Sequence, residues 1–400
     1  MKKKFLQVLF VFVLAFVLIG VGKTAKVSSV STKDGKEQET KEDYRQEVPP
    51  NENEEEQKEN EEEKSGVIGV ILSGDETESA TLAQIDGILA AADSAQISTD
   101  EIVWKERVAE DECGDTVKKL IKNGCELVIA CSGAYENTLK DLAESYPEVV
   151  FVETDTEVSE QEELSNFYGV RMRTYEADYV AGVAAGMKLK QLVKEEALSE
   201  KNYDTKGNLK IGYVAAENTG SVRAGIYAYF EGVKQIYADT VMQVEYIGTR
   251  NNSDAEATAA GDLIREGCVI LASNTDLDAT MQMAEDANQS GKCVYAVGRN
   301  TDMRKTAEHA VITSVENVWS VYYTKLFEAK LNNEDLSQNW SGGYTESAVK
   351  ITALGENAAP GTLEKIRRLQ KKMKSGQKKI TGFSVQTLEG ITEAEKNNVD

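Results

Sequence analysis

The chain has 400 residues and a formal net charge of −23, which argues against nucleic acid or anionic lipid as the partner of its folded part. Its five cysteines are scattered without a C-x-x-C spacing, so neither a disulfide framework nor a zinc site is expected. One histidine, His309, leaves a histidine metal centre or a Ser-His-Asp triad little to work with, so no cofactor, no metal and no enzymatic activity are expected.

The first element in chain order is MKKKFLQVLFVFVLAFVLIGVGK: three lysines, then 18 uncharged residues from Phe5 to Gly22. Lysines of this kind stay on the cytoplasmic side, so the remainder is expected to be exported. The stretch is just long enough to span a bilayer. Lys23 and Thr24 before Ala25 make a poor cleavage site, so residues 1–22 read as an uncleaved anchor, with a cleaved signal as the alternative. Residues 23–65 follow as an acidic linker with almost nothing to bury; Lys33 to Lys64 holds 14 acidic and six basic residues, a disordered tether by composition.

From Gly66 the pattern changes. VIGVIL (67–72) reads as a buried strand, SGDETES as a turn, and ATLAQIDGILAAADSA as a helix. CELVIACSGA (125–134), the helix YENTLKDLAESY and the strand VVFVETD (149–155) complete a first series. A second comprises LKIGYVAAE (209–217), GSVRAGIYAYFEGVKQIY, MQVEYIG, SDAEATAAGDLIREG, CVILASN, ATMQMAEDANQSG and KCVYAVGR. Short β-rich runs alternating with helical patterns predict an α/β fold of parallel sheets covered on both faces. The shared rhythm predicts two similar lobes. Between the series lies YEADYVAGVAAGM (175–187), whose Gly182, Ala185 and Gly186 predict a helix backbone pressed against a neighbour. Glycine there costs about 1 kcal/mol of helix propensity, which close packing must offset. The run LEKIRRLQKKMKSGQKK (363–379) spaces Ile366, Leu369 and Met373 as one face of an amphipathic surface helix, with a permease contact as the alternative reading of its charges.

KNGCELVIACSGAYENTLKDLAESYPEVVFVETD, then YGVRMRTYEADYVAGVAAGM, then LKIGYVAAE…RAGIYAYFEGVK resemble the basic membrane protein family, substrate-binding proteins of ABC transporters related to purine nucleoside-binding lipoproteins. The similarity runs colinearly from about Val67 to Phe383. It implies a type I periplasmic-binding fold: two α/β lobes, three crossover strands, and ligand closed between them. The expected lobes are 66–173 with 312–332, and 174–311 with 333–390, followed by a tail at 391–400. The resemblance further implies a nucleoside-like small-molecule ligand, an ABC permease partner, a monomer, and a place on the extracytoplasmic face of the membrane.

In open α/β sheets ligands bind beyond the C-terminal ends of the strands. That rule selects Ser73, Asp75 and Thr77; Ser132 and Tyr135; Asp155; Glu217 and Asn218; Asn274; Asn300 and Asp302. Each is also an ordinary choice for capping a helix; as a set facing one cleft they read as a binding site. Several positions depart from the family's nucleoside binders. Ser73 stands for the aspartate that holds the purine edge, Ala80 for the phenylalanine that stacks on it, Asn300 for the ribose-binding aspartate, and Glu316 for a lysine. Asp155 is kept. A lost aromatic platform forfeits about 1–3 kcal/mol per stacked base, so weaker purine binding is expected, and Glu316 in place of a lysine reverses the local charge, which favours a neutral or cationic ligand. The lipobox cysteine is also absent: Leu18-Ile19-Gly20 is followed by Val21. A membrane-tethered sensing or interaction module with a degenerate pocket is the alternative function.

Overall fold

Runs such as Ile-Gly-Val-Ile at β1 (Ile68–Ile71) are apolar on both faces and entirely buried, as strands sandwiched between helices must be. The structure, a computed structural model, describes residues 68–156, 164–381 and 389–395; the expected anchor and acidic linker lie outside them.

The first sheet joins β1 to β2 (Ile102–Lys105), β3 (Leu127–Ala130), β4 (Val150–Thr154), β5 (Phe167–Met172) and β11 (Asn339–Gly342), in the order β11-β5-β4-β3-β1-β2. All its pairings are parallel. Helices α1 (Ser79–Ser94), α2 (Cys113–Lys122) and α3 (Glu136–Ser145) connect its strands. The second sheet holds β6 (Leu209–Ala215), β7 (Thr240–Tyr246), β8 (Ile270–Ser273), β9 (Tyr295–Arg299), β10 (Val311–Asn317), β12 (Val349–Ile351) and β13 (Ile391–Glu395), ordered β12-β10-β9-β8-β6-β7-β13. Only β12, antiparallel to β10, breaks its parallel arrangement. Helices α4 (Tyr175–Lys194), α5 (Gly220–Lys234), α6 (Ser253–Glu266) and α7 (Ala279–Gln289) belong to this lobe. The helix α8 (Ser320–Asn332) returns to pack on α1, and α9 (Thr362–Lys374) packs on α4.

The chain therefore crosses between lobes three times: from β5 into α4, from β10 into α8, and from β11 to β12. This is the type I periplasmic-binding architecture. Sheet membership departs from the expected boundaries at three places. Strand β10, placed by sequence in the first lobe from 312, runs in the second sheet; β11, placed in the second lobe, is the edge of the first; and β13, read as tail, is the far edge of the second. Edge strands need only backbone pairing on one side, so Ile-Thr-Glu-Ala-Glu joins β7 in parallel despite its charge.

The three crossings are stitched side by side. Arg173 donates through Nε to Glu176 at 2.8 Å and through NH1 to the Ser341 carbonyl at 2.9 Å. The Thr174 hydroxyl donates to Asn317 Oδ1 at 2.8 Å, and the Val318 N–H to the Ala348 carbonyl at 2.7 Å. The small-residue run in α4 answers to α5. A Cβ on Gly182 would sit 2.0 Å from the Tyr229 carbonyl oxygen, and one on Gly232 would sit 2.1 Å from that of Tyr179. Each helix presents a glycine to the other's backbone, the close approach expected from sequence.

Candidate functional site

Loops at the C-terminal ends of both sheets converge where the lobes meet. At the start of α1, Ser79 donates its N–H to the Asp276 carbonyl of the second lobe at 2.8 Å, and its hydroxyl reaches the same oxygen at 3.0 Å. Asn300, in the loop after β9, donates through Nδ2 to the Ser79 hydroxyl at 3.0 Å. Asn300 holds φ +67, a left-handed conformation that asparagine tolerates better than most residues and that turns its amide toward the first lobe.

Around this contact lies a set of charges drawn from both lobes. Asp155, with φ +65 after β4, exposes its carboxylate, yet so much protein crowds around it that burial pushes its pKa up. Arg250, Arg171 and Arg299 pull in the opposite direction. A group both accessible and enclosed is what the wall of a cleft presents. Burial pushes the Asp276 carboxyl up to about 6, against Arg250 and with Glu78 adding repulsion. Arg250, after β7, stands 4.0 Å from both Glu217 and Asp276. Carboxylates and guanidiniums interleaved in this way suit a polar ligand rich in hydroxyls, each of which both donates and accepts.

Behind the first-lobe wall is a supporting polar chain. The Tyr323 hydroxyl of α8 donates to Gln84 Oε1 at 2.5 Å, Gln84 Nε2 reaches the Thr154 hydroxyl at 3.5 Å, and Cys131 lies 3.7 Å from the Tyr323 hydroxyl. Trp319 stacks on Tyr323 with centroids 6.2 Å apart. Gln84 and Tyr323 are buried, so this chain fixes the loops after β3 and β4.

The residues selected from sequence divide into groups. Asp155, Asn300 and Glu217 join the inter-lobe set just described. Ser73 and Thr77 are exposed in the loop after β1. Ser132 caps a short 3-10 turn by accepting from the Ala134 N–H at 3.3 Å. Asn274 is buried, its Oδ1 accepting from the Ala216 N–H at 2.9 Å, and so ties the loops after β6 and β8 together. Others are spent inside the protein. Asp75 accepts from the Thr77 hydroxyl at 2.5 Å and its N–H at 2.9 Å and pairs with Arg107, so its pKa falls below the usual range. Asn218 Oδ1 accepts from Arg223 at 2.6 Å, Asp302 pairs with Arg304, and Glu316 lies 3.1 Å from Lys350, its cross-strand neighbour on β12. Tyr135 is not a cleft residue. Its ring is 1 % exposed in the first-lobe core and its hydroxyl donates to the Val108 carbonyl at 2.6 Å, so it cannot replace the missing stacking ring.

Asp276 and Arg299 stood in loops singled out from sequence but were not selected themselves. Arg250 lies in TRNNSD, the loop after the strand MQVEYIG, where the strand-end rule also points. All five cysteines are free, and among the described residues no group of three or more His, Cys, Asp or Glu could hold a metal.

A family profile described as ABC transporter substrate-binding protein PnrA-like matches residues 66–387. A purine-binding protein of Brucella abortus is 26% identical over 252 residues, 63% of this chain and 65% of its own length. A Haloferax volcanii protein named as an ABC transporter glucose-binding protein is 24% identical over 259 residues, 65% of this chain and 60% of its own. The chain thus spans less than two thirds of the length of each of these relatives. Among solved structures, an ABC transporter solute-binding protein of Aeropyrum pernix superposes with a TM-score of 0.65 at 15% identity, over 80% of this chain and 95% of its own. A transcriptional activator of Bacillus halodurans shares the fold at a TM-score of 0.62 and 17% identity, over 78% of this chain and 99% of its own. With its two-lobed fold and a profile match over most of its length, the chain belongs to the PnrA-like family of ABC transporter substrate-binding proteins.

Proposed function

We propose that the protein is an extracytoplasmic solute-binding protein that closes its lobes on a nucleoside or close analogue and delivers it to an ABC permease. The observation that carries this reading is the inter-lobe set Asp155, Arg250, Asp276 and Asn300, drawn from strand-end loops of both sheets. Sugar hydroxyls match its alternating donors and acceptors. The names of two relatives, one purine-binding and one glucose-binding, are in keeping with a ligand of this kind. With Ala80 in place of a stacking ring, hydrogen bonds to the sugar rather than base stacking supply the affinity. The protein acts as a monomer held at the outer face of the membrane by residues 5–22.

One observation favours a second reading, a sensing module with an eroded pocket. Asp75, Asn218, Asp302 and Glu316 all spend their acceptors on the protein's own cations or hydroxyls. Thermal unfolding of the purified chain against nucleosides, nucleobases and hexoses separates the two. A ligand at 100 times its Kd adds about 2.7 kcal/mol of stability. A nucleoside hit supports the proposal, a hexose-only hit moves the ligand class, and a flat response across the panel leaves the sensing module.

A further inference from the structure

In a chain of net charge −23, the solvent face of α9 carries six basic side chains against one acid. Thr362, Ile366 and Met373 are buried against the second lobe, and Leu369 is half-buried on the same side. Every basic residue of the helix, Lys365, Arg367, Arg368, Lys371, Lys372 and Lys374, is exposed. At 100° per residue these six sweep the whole arc opposite the buried stripe. The one acid on the helix, Glu364, pairs with Arg368. Leu363, beside Arg367 on the first turn, is 49% exposed, a large apolar side chain left in water.

We propose that this face of α9 docks on the anionic headgroups of a phospholipid bilayer. The overall charge argues against anionic lipid for the body as a whole, but screening confines each surface charge to about 10 Å in moderate salt, so the local face decides what it touches. A planar surface meets one face of the protein at a time, so the charge of that face sets the attraction. A polynucleotide would outrun this basic surface, which spans the roughly 20 Å of the 13-residue helix and continues along the chain only to Lys378 and Lys379. The apolar face is already packed on the protein, so the contact is one of headgroup attraction, with Leu363 alone free to dip into the interface. The sequence expectation of an N-terminal anchor gives an independent reason for a bilayer to be at hand.

Lysine acetylation footprinting of the full chain, read by peptide mass, tests this directly. The probes are vesicles of phosphatidylcholine alone and of two parts phosphatidylcholine to one part phosphatidylglycerol. Lys371, Lys372 and Lys374 are expected to lose most of their reactivity only on the anionic vesicles and to regain it in high salt, while exposed Lys118 and Lys206 stay unchanged. The variant Arg367→Gln/Arg368→Gln, altered only at exposed positions, should weaken that protection with its unfolding midpoint unmoved. Equal reactivity on both vesicles overturns the proposal, as does protection that survives high salt or the double variant. Protection by an added oligonucleotide exceeding that by vesicles would also overturn it and assign the face to a polynucleotide.

Discussion

Arg299, the last residue of β9, donates through NH1 to Asp178 on α4 across 2.8 Å, with the Asp178 side chain only 3% exposed. Burial by itself lowers the pKa of the guanidinium, but the Asp178 carboxylate beside it more than offsets this and raises it. The pair ties the loop that carries Asn300 to the crossing helix α4. Gly225 makes room for it: a Cβ there would stand 2.8 Å from Asp178 Oδ2.

Removing one partner of such a pair leaves a buried charge uncompensated, at a cost on the order of 3–5 kcal/mol. Asp178→Ala should therefore lower stability in urea unfolding by about that much. The double variant Asp178→Ala/Arg299→Met should cost clearly less than the sum of the two single changes, because neither charge remains. Additive losses would show that the two residues act independently.

Gly182→Ala sets two effects against each other. Helix propensity favours alanine by about 1 kcal/mol. The new Cβ, however, would lie 2.0 Å from the Tyr229 carbonyl oxygen, so α4 and α5 must separate. Destabilisation by more than about 2 kcal/mol is expected, in the range of overpacked cores. A stabilised variant would mean that the two helices are not in backbone contact.

Glu153 on β4 is fully buried, and neither carboxylate oxygen has a hydrogen-bond partner of good geometry. Burial, with the nearby Glu136 adding repulsion, pushes its carboxyl from 4.5 up to about 8. The folded state thus keeps a proton that the unfolded chain gives up, and stability falls as pH rises from near 4.5 through about 8. Each unit of that difference is about 1.4 kcal/mol. Glu153→Gln should match the parent protein near pH 5 and exceed it in urea midpoint near pH 8. Parallel pH profiles of the two proteins would contradict this.

Asp155→Asn keeps a side chain that tolerates φ +65 while removing the charge. The unliganded fold should be unharmed, since burial disfavours that charge. Affinity for the bound solute should drop at least tenfold, the loss of one charge-assisted hydrogen bond of about 1.5–3 kcal/mol, as read by calorimetric titration. An unchanged Kd would place the ligand elsewhere.

The repeating strand and helix pattern was legible because buried strands such as Leu-Val-Ile-Ala at β3 are apolar on both faces. The small-residue signature of α4 and the apolar stripe of α9 were legible for the same kind of reason: periodicity records which face is covered. Strands β2, β11 and β13 were not. They are sheet edges of four or five residues, held by backbone pairing that leaves little mark on side-chain pattern. At the proposed site, the strand-end rule selected loops that the structure brings together where the lobes meet, but not which of their side chains turn toward the other lobe. Tyr135 turns into the core because the chain after β3 coils at once into a helical turn, while Asp75 and Asp302 fold back on cations two to 32 positions away. Loop side-chain direction has no period to read.

The central claim, a cleft between two lobes that holds one small solute, is met most directly by native mass spectrometry of the purified chain. The account predicts a single bound molecule of nucleoside size at one per chain, lost from Asp155→Asn under the same conditions. A bare mass on purification that stays bare after incubation with the nucleoside panel would contradict it.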